Sequence, residues 1–164
     1  MTILAIVAAT AVLARGAEAQ SLTLATAGQT SYRIVVAADA IEPERHATAE
    51  LAAFLKQVTG ATFAVVSEAE AGAGPFIFVG PGAKQKAAAP GLKLDGLGRD
   101  GFVIETRAPH LILAGGRPRG TLYAVFTFLE DQVGCRWYSS KFSRIPSQPN
   151  LAITYLGPSS QYTI

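Results

Sequence analysis

Two hydrophobic rhythms divide the chain. From Tyr32 to Ala38 the run YRIVVAA is apolar and β-branched, which predicts a first buried strand. A longer rhythm follows, with Ala47, Leu51, Phe54, Leu55 and Val58 spaced as one face of a helix. Pro43 suits its first turn, glutamates lie early in it, and Gly60 supplies the stop. His46 falls one position off the apolar stripe and reads as a rim residue.

Beyond Gly60, ATFAVVS predicts a short strand, and PFIFVG a second one, apolar without a break and therefore central in a sheet. GFVIETR and HLILAGG follow, joined at Ala108-Pro109. A reversal that short predicts an antiparallel hairpin. Between these regions, residues 81–100 are punctuated by glycine and proline. That is long for a loop and marks a candidate lid or contact segment. Gly120 to Val133 is apolar on nearly every side, the mark of a helix buried on more than one face. Gly134 ends it, CRWY predicts a return strand, and NLAITYLG a last one.

The first residues follow neither rhythm. An apolar run from Ile3 to Ala14 precedes Ala17-Glu18-Ala19, the layout of a secretory signal with its cleavage site. The run is shorter than the roughly 20 residues that span a bilayer, so no transmembrane span is expected. No Lys or Arg precedes it, a departure from the usual signal. The predicted organisation is a signal over residues 1–19, one domain over 20–157, and the start of a linker over 158–164, with an exported product.

Composition narrows the chemistry. The 164 residues carry a net charge of +2 and no dense Lys/Arg cluster, which argues against a nucleic-acid partner. Cys135 is the sole cysteine, so no intramolecular disulfide can form. Arg136 beside it could lower the thiol pKa, but His46 and His110 lie on segments placed elsewhere, and nucleophilic chemistry needs a base. The turn Gly115-Gly116-Arg117-Pro118-Arg119-Gly120 joins a strand to a helix, the place where a phosphate cradle would form. It matches neither G-x-G-x-x-G nor a P-loop, and Pro118 removes one N–H donor. GPGAK at residues 80–84 is a weaker candidate still. Arg117 and Arg119 retain the chemistry to grip a carboxylate or phosphate. Trp137 and Tyr138, beside Arg136, offer flat faces suited to sugars. The acidic residues are scattered, Glu130 and Asp131 point apart on their helix, and no metal-ligand cluster or paired carboxylate is legible.

The order of these motifs resembles a known family. Asp100-Gly101-Phe102, Gly115-Gly116 and Arg119-Gly120-Thr121-Leu122-Tyr123 lead to Trp137-Tyr138 and Ile145-Pro146. The helix AELAAFLKQVTG and the strand FIFVG precede them. Together they resemble the N-terminal domain of bacterial α-glucuronidase-like glycoside hydrolases. They are also similar to the domain that precedes the barrel in β-N-acetylhexosaminidases. The likeness covers roughly residues 32–155.

It implies an α+β domain, a mixed β-sheet with two main α-helices packed on one face, placed before a catalytic (β/α)₈ barrel. It implies that the catalytic carboxylates belong to that barrel, so none is assigned here, and no cofactor or metal is implied. The expected function is a non-catalytic accessory domain of an exported glycoside hydrolase acting on polysaccharide, with xylan side chains one possible target. The alternative is a free-standing carbohydrate- or anion-binding module using Arg117, Arg119, Arg136, Trp137 and Tyr138. Those five residues are the candidate contact surface, for carbohydrate or for a neighbouring domain.

Overall fold

Arg33–Val36 (β2) pairs in parallel with Ala64–Ser67 on one side and Phe76–Val79 on the other. This nucleates a sheet around the most apolar strands of the chain. The computed structural model describes residues 21–139, 141–154, 156–157 and 161–162. Within them Ser21–Ala25 (β1) precedes β2, and Glu42–Thr59 (α1) carries the chain from β2 to Ala64–Ser67 (β3). Phe76–Val79 (β4) and the short helix Ala83–Ala88 (α2) follow, then the hairpin Phe102–Arg107 (β5) and His110–Gly115 (β6). Gly120–Asp131 (α3) leads to a second hairpin, Arg136–Ser139 (β7) and Phe142–Arg144 (β8), and then to Leu151–Thr154 (β9) and Gln161–Tyr162 (β10). The main sheet has the order β10-β5-β6-β4-β2-β3. Strands β6, β4, β2 and β3 are parallel, whereas at one edge β5 pairs antiparallel with β6 and β10 antiparallel with β5.

The fold is α+β, as expected, with α1 and α3 packed together on one face of the mixed sheet. All four residues of β4 are buried, the consequence of a central position covered on both sides. α1 starts with Pro43 in its first turn and with Glu42 and Glu44 favouring the positive end of its dipole. It stops at Gly60, whose φ of 78° is the left-handed conformation that L side chains resist. Ala47, Leu51, Leu55 and Val58 are buried as their spacing predicts, and Phe54 packs at the rim of the same core. His46 is exposed.

Three expectations change. α3 is fully buried on one side, through Thr121, Ala124, Val125, Phe128 and Leu129, while Leu122, Tyr123 and Phe126 on the other side are only half-buried. Its all-round hydrophobicity therefore leaves an apolar outer face. The segment 81–100 is no detached lid. It contains α2, and Ala88, Ala89, Leu92 and Leu94 cover the second face of the sheet over Val35, Phe76, Phe78, Ile112 and Ala114. CRWY does return as a strand, but outside the core. Cys135 is buried, but β7 is largely exposed and pairs only with β8, a strand the hydrophobic pattern does not show.

β1 also escapes the pattern reading. It pairs antiparallel with β9, burying Leu22, Leu24, Leu151 and Ile153 against the helical face. The expected signal at residues 1–19 lies outside the described residues. Of the expected linker 158–164, Gln161–Tyr162 is described, added to the sheet edge beside β5.

Candidate functional site

The turn between β6 and α3 is built on glycines that leave no room for anything larger. A Cβ on Gly116 would stand 1.7 Å from the Gly98 carbonyl oxygen. One on Gly101 would stand 2.3 Å from the Leu97 oxygen, and one on Gly120 would stand 2.3 Å from the Gly101 oxygen. The loop 97–101 is thus laid directly onto the β6–α3 turn. Backbone hydrogen bonds hold it there: Gly116 N–H donates to Gly101 O at 2.9 Å, and Arg119 and Gly120 N–H both donate to Arg99 O at 3.1 and 3.2 Å. Gly120 N–H also donates to Gly116 O at 2.8 Å. These are the donors a phosphate cradle would have used, and the chain itself has taken them.

Both arginines of the turn are spent in the same way. Arg119 grips Asp100 with two parallel bonds, Nε to Oδ1 and Nη2 to Oδ2, each 2.8 Å. The pairing holds the Asp100 carboxyl below its ordinary pKa, through the hydrogen bond from Arg119 first. Arg117 reaches α1, where Nε and Nη2 donate to the two Glu44 oxygens at 2.9 and 3.1 Å, while Nη1 meets Asp39 at 3.3 Å. Its pKa is raised, chiefly by the Glu44 hydrogen bond. Asp100-Gly101, Gly115-Gly116 and Arg119-Gly120, widely separated in sequence, therefore form one structural knot.

The remaining candidates lie past the other end of α3. A 12-residue helix separates them from Arg117 and Arg119 by about 18 Å, so the five residues do not form one site. Arg136 Nη1 donates to the carbonyls of Glu130 and Cys135 and so satisfies the C-terminal end of α3. Trp137 meets Phe54 and Phe126 edge-on, with ring centroids 5.2 and 5.4 Å apart. Tyr138 is 61% exposed and packs against Phe142, itself 65% exposed. Cys135 is buried, and its thiol pKa is raised by that burial, which outweighs the opposing effect of Arg136. That is an inert core thiol.

A different feature was missed at the strand ends. β2 and β6 send their chains to helices on one face of the sheet, whereas β4, between them, sends its chain to α2 on the other. Neighbouring strands that diverge in this way open a crevice beyond their carboxyl ends. Two adjoining cavities of about 320 and 510 Å³ occupy it and share Pro81, Lys86 and Arg117. Gln85 lines the smaller one, and Asp39 and Glu68 line the larger. The strand-to-turn signal at Gly80-Pro81-Gly82 was visible in the sequence, but only the divergence of the connections turns it into a cavity.

Among the described residues no group of three or more His, Cys, Asp or Glu side chains could hold a metal ion, and no helix is long and apolar enough to cross a membrane. Glu105 is buried against Arg107 on β5, so it too is taken up by an internal ion pair. No curated protein matches the chain. Residues 15–128 match the family described as Glycosyl hydrolase family 67 N-terminus, a stretch that ends within α3 and takes in the glycine knot. With most of its length covered by that match, the chain belongs to the glycoside hydrolase family 67 N-terminal domain, the non-catalytic N-terminal part of α-glucuronidases.

Proposed function

We propose that this domain buttresses the catalytic (β/α)₈ barrel of an exported α-glucuronidase-like enzyme that acts on polysaccharide, xylan side chains among its targets. The observation that carries the reading is the apolar outer face of the helical layer. Leu122, Tyr123 and Phe126 of α3 are only half-buried, Trp137 joins Phe126 to Phe54 of α1, and Tyr138 and Phe142 are exposed on the following hairpin. Large aromatic side chains left at the surface in this way mark a contact site. Family membership supplies its natural occupant, because the family implies an associated catalytic domain. Export rests on the apolar run before Ala17-x-Ala19. The arrangement of Arg117 and Arg119 weighs against an anion-binding module, since both guanidiniums are already matched by carboxylates.

The test is association in trans. The chain and a separately expressed family 67 catalytic barrel should co-sediment in analytical ultracentrifugation. A Tyr138→Ser, Phe142→Ser double variant, exposed enough to leave the fold intact, should weaken the complex at least tenfold. A barrel that ignores the chain, and keeps full stability and activity without it, would refute the reading.

A further inference from the structure

The structure assigns a second, separate site: we propose that the crevice at the carboxyl ends of β2, β4 and β6 binds a neutral polyhydroxylated small molecule of about monosaccharide size. The assignment does not rest on the accessory-domain reading and uses none of the aromatic face.

Four observations converge. The first is topological, since β4 diverges from both neighbours, and its end is where open sheets of this kind take ligands. The second is Gln85. It is 2% exposed, lines the cavity of about 320 Å³, and its Oε1 has no hydrogen-bond partner among the described residues. A buried amide in a polar cavity calls for a partner that the chain itself does not provide. A hydroxyl answers it in either amide orientation, because it both donates and accepts.

The third observation is charge. Asp39, Glu68 and Asp95 line the crevice against two cations, Lys86 and Arg117. Arg117 is already matched by Glu44 and Asp39. With Arg117 matched, Lys86 is the one cation left in the lining to set against Glu68 and Asp95, so phosphate, nucleotides and sugar acids are disfavoured. Lys86 is exposed, and no ion-pair partner for its ammonium is present among the described residues, which leaves a free donor at the rim. Exposed Asp95 and Asp39 offer acceptors.

The fourth is shape. Leu92 and Leu94, both half-buried, give the smaller cavity an apolar wall beside its polar groups. A pyranose has the same division, with C–H faces and hydroxyl edges. A polyamine would suit the carboxylates but would face the Lys86 ammonium and the apolar wall.

Amide-resolved NMR of the whole chain tests the assignment, with D-glucose, inorganic phosphate and putrescine as separate probes. D-glucose should shift the Gln85 side-chain amide and the Gly115 and Gly116 backbone amides saturably, with a Kd of about 1–10 mM, the range of a weak small-ligand site. Gln85→Leu should weaken binding at least tenfold. Lys86→Ala, on an exposed side chain that cannot unfold the domain, should weaken it several-fold and keeps the test valid if the Gln85 variant fails to fold. Saturable shifts from phosphate or putrescine without any from D-glucose would overturn the ligand class. No saturable shift with any probe, or glucose shifts confined to Trp137 and Tyr138, would overturn the site.

Discussion

Arg117 and Glu44 are 73 residues apart and meet through two parallel hydrogen bonds, Nε to Oε1 at 2.9 Å and Nη2 to Oε2 at 3.1 Å. Glu44 is only 1% exposed and also accepts from the Ile41 N–H at 2.9 Å, so the carboxylate that anchors the β6–α3 turn also satisfies a free donor at the start of α1. One side chain thus fastens the two main helices of the domain at their N-terminal ends.

Removing either partner leaves the other charge unmatched. For a fully buried pair that costs about 3–5 kcal/mol. The Arg117 side chain is 37% exposed, so solvent screens part of the loss and about 1–3 kcal/mol is expected for Arg117→Ala. Glu44→Ala should cost more than Arg117→Ala, because it also removes the capping bond, worth about 1 kcal/mol. Urea denaturation of the two single variants and the double variant measures the coupling. Additive losses would mean that the pair contributes nothing.

The glycine knot makes a sharper prediction. Gly116→Ala places a methyl 1.7 Å from a backbone oxygen that cannot swing away, so the loop must lift off the turn. Overpacking costs about 1–3 kcal/mol where neighbours adjust, and more where backbone must move. The loss for Gly116→Ala should therefore exceed about 3 kcal/mol or abolish folding. Gly60→Ala meets nothing within 4 Å and carries only the penalty of its φ of 78°, about 1–2 kcal/mol. A Gly116→Ala variant as stable as Gly60→Ala would show that the loop is not held as described.

The knot also marks what the sequence could and could not show. Strands β2, β4, β5 and β6 and helices α1 and α3 were legible because each buries a periodic apolar face that its own residues announce. β1 and β9 were harder to place, since their pairing depends on a contact between opposite ends of the domain. The motif Asp100-Gly101, Gly115-Gly116 and Arg119-Gly120 was visible, but whether its glycines face a ligand or a backbone is a matter of long-range packing. The strand-end crevice was legible only as the turn at Gly80-Pro81-Gly82, not as a cavity. Gln85 looks like an ordinary surface residue of a short helix until the turn at Gly115 and Gly116 comes to lie beside it.

Helix α3 gives a test within a single element. Leu129 is fully buried and Leu122 is half-exposed, though both belong to the same apolar run. Leu129→Ala should cost about 2–5 kcal/mol. Leu122→Ala should cost less than about 1.5 kcal/mol, since less of its surface leaves water on folding. Equal losses in chemical denaturation would show that the outer face is packed as tightly as the inner one.

His110 sets a pH dependence. Its Nδ1 accepts from the Phe76 N–H at 3.2 Å, and its ring stacks on Phe76 with centroids 5.4 Å apart. Burial lowers its pKa below the ordinary 6.5. Arg33 and Lys84 lie over the same Phe76 ring, so the nearby charges there are cations, which do not favour a charged imidazole. The unfolded chain takes up this proton first as pH falls. The stabilisation is therefore complete above about 6.5 and is lost as pH drops through the lower folded value. NMR titration should place the imidazole midpoint below 6.5, and His110→Gln, which keeps an acceptor, should flatten the stability slope in that window. A midpoint at or above 6.5 would contradict the burial argument.

The carboxylates themselves predict that the chain alone hydrolyses no glycoside. Glycosidase catalysis needs two carboxyl groups about 5–5.5 Å apart for retention or roughly 6.5–9.5 Å for inversion, with the sugar held between them. Asp39 and Glu44 are the acids that come together across a common partner, yet the Arg117 guanidinium lies between them and bonds to both. A sugar cannot enter that space without displacing it. Asp100 is gripped by Arg119 and Glu105 lies buried beside Arg107, so each of these acids already faces a guanidinium of its own chain. The purified chain should show no turnover of aryl glycosides, glucuronic-acid-branched xylo-oligosaccharides or chito-oligosaccharides above the buffer rate. Asp39→Asn and Glu44→Gln are the informative controls: turnover that disappears with either change would place a working pair in this domain and would displace the accessory role. Sugar binding at the strand-end crevice without turnover is compatible with inertness, because a hydroxyl can bond Gln85, Lys86, Asp95 or Asp39 while Arg117 stays on Glu44.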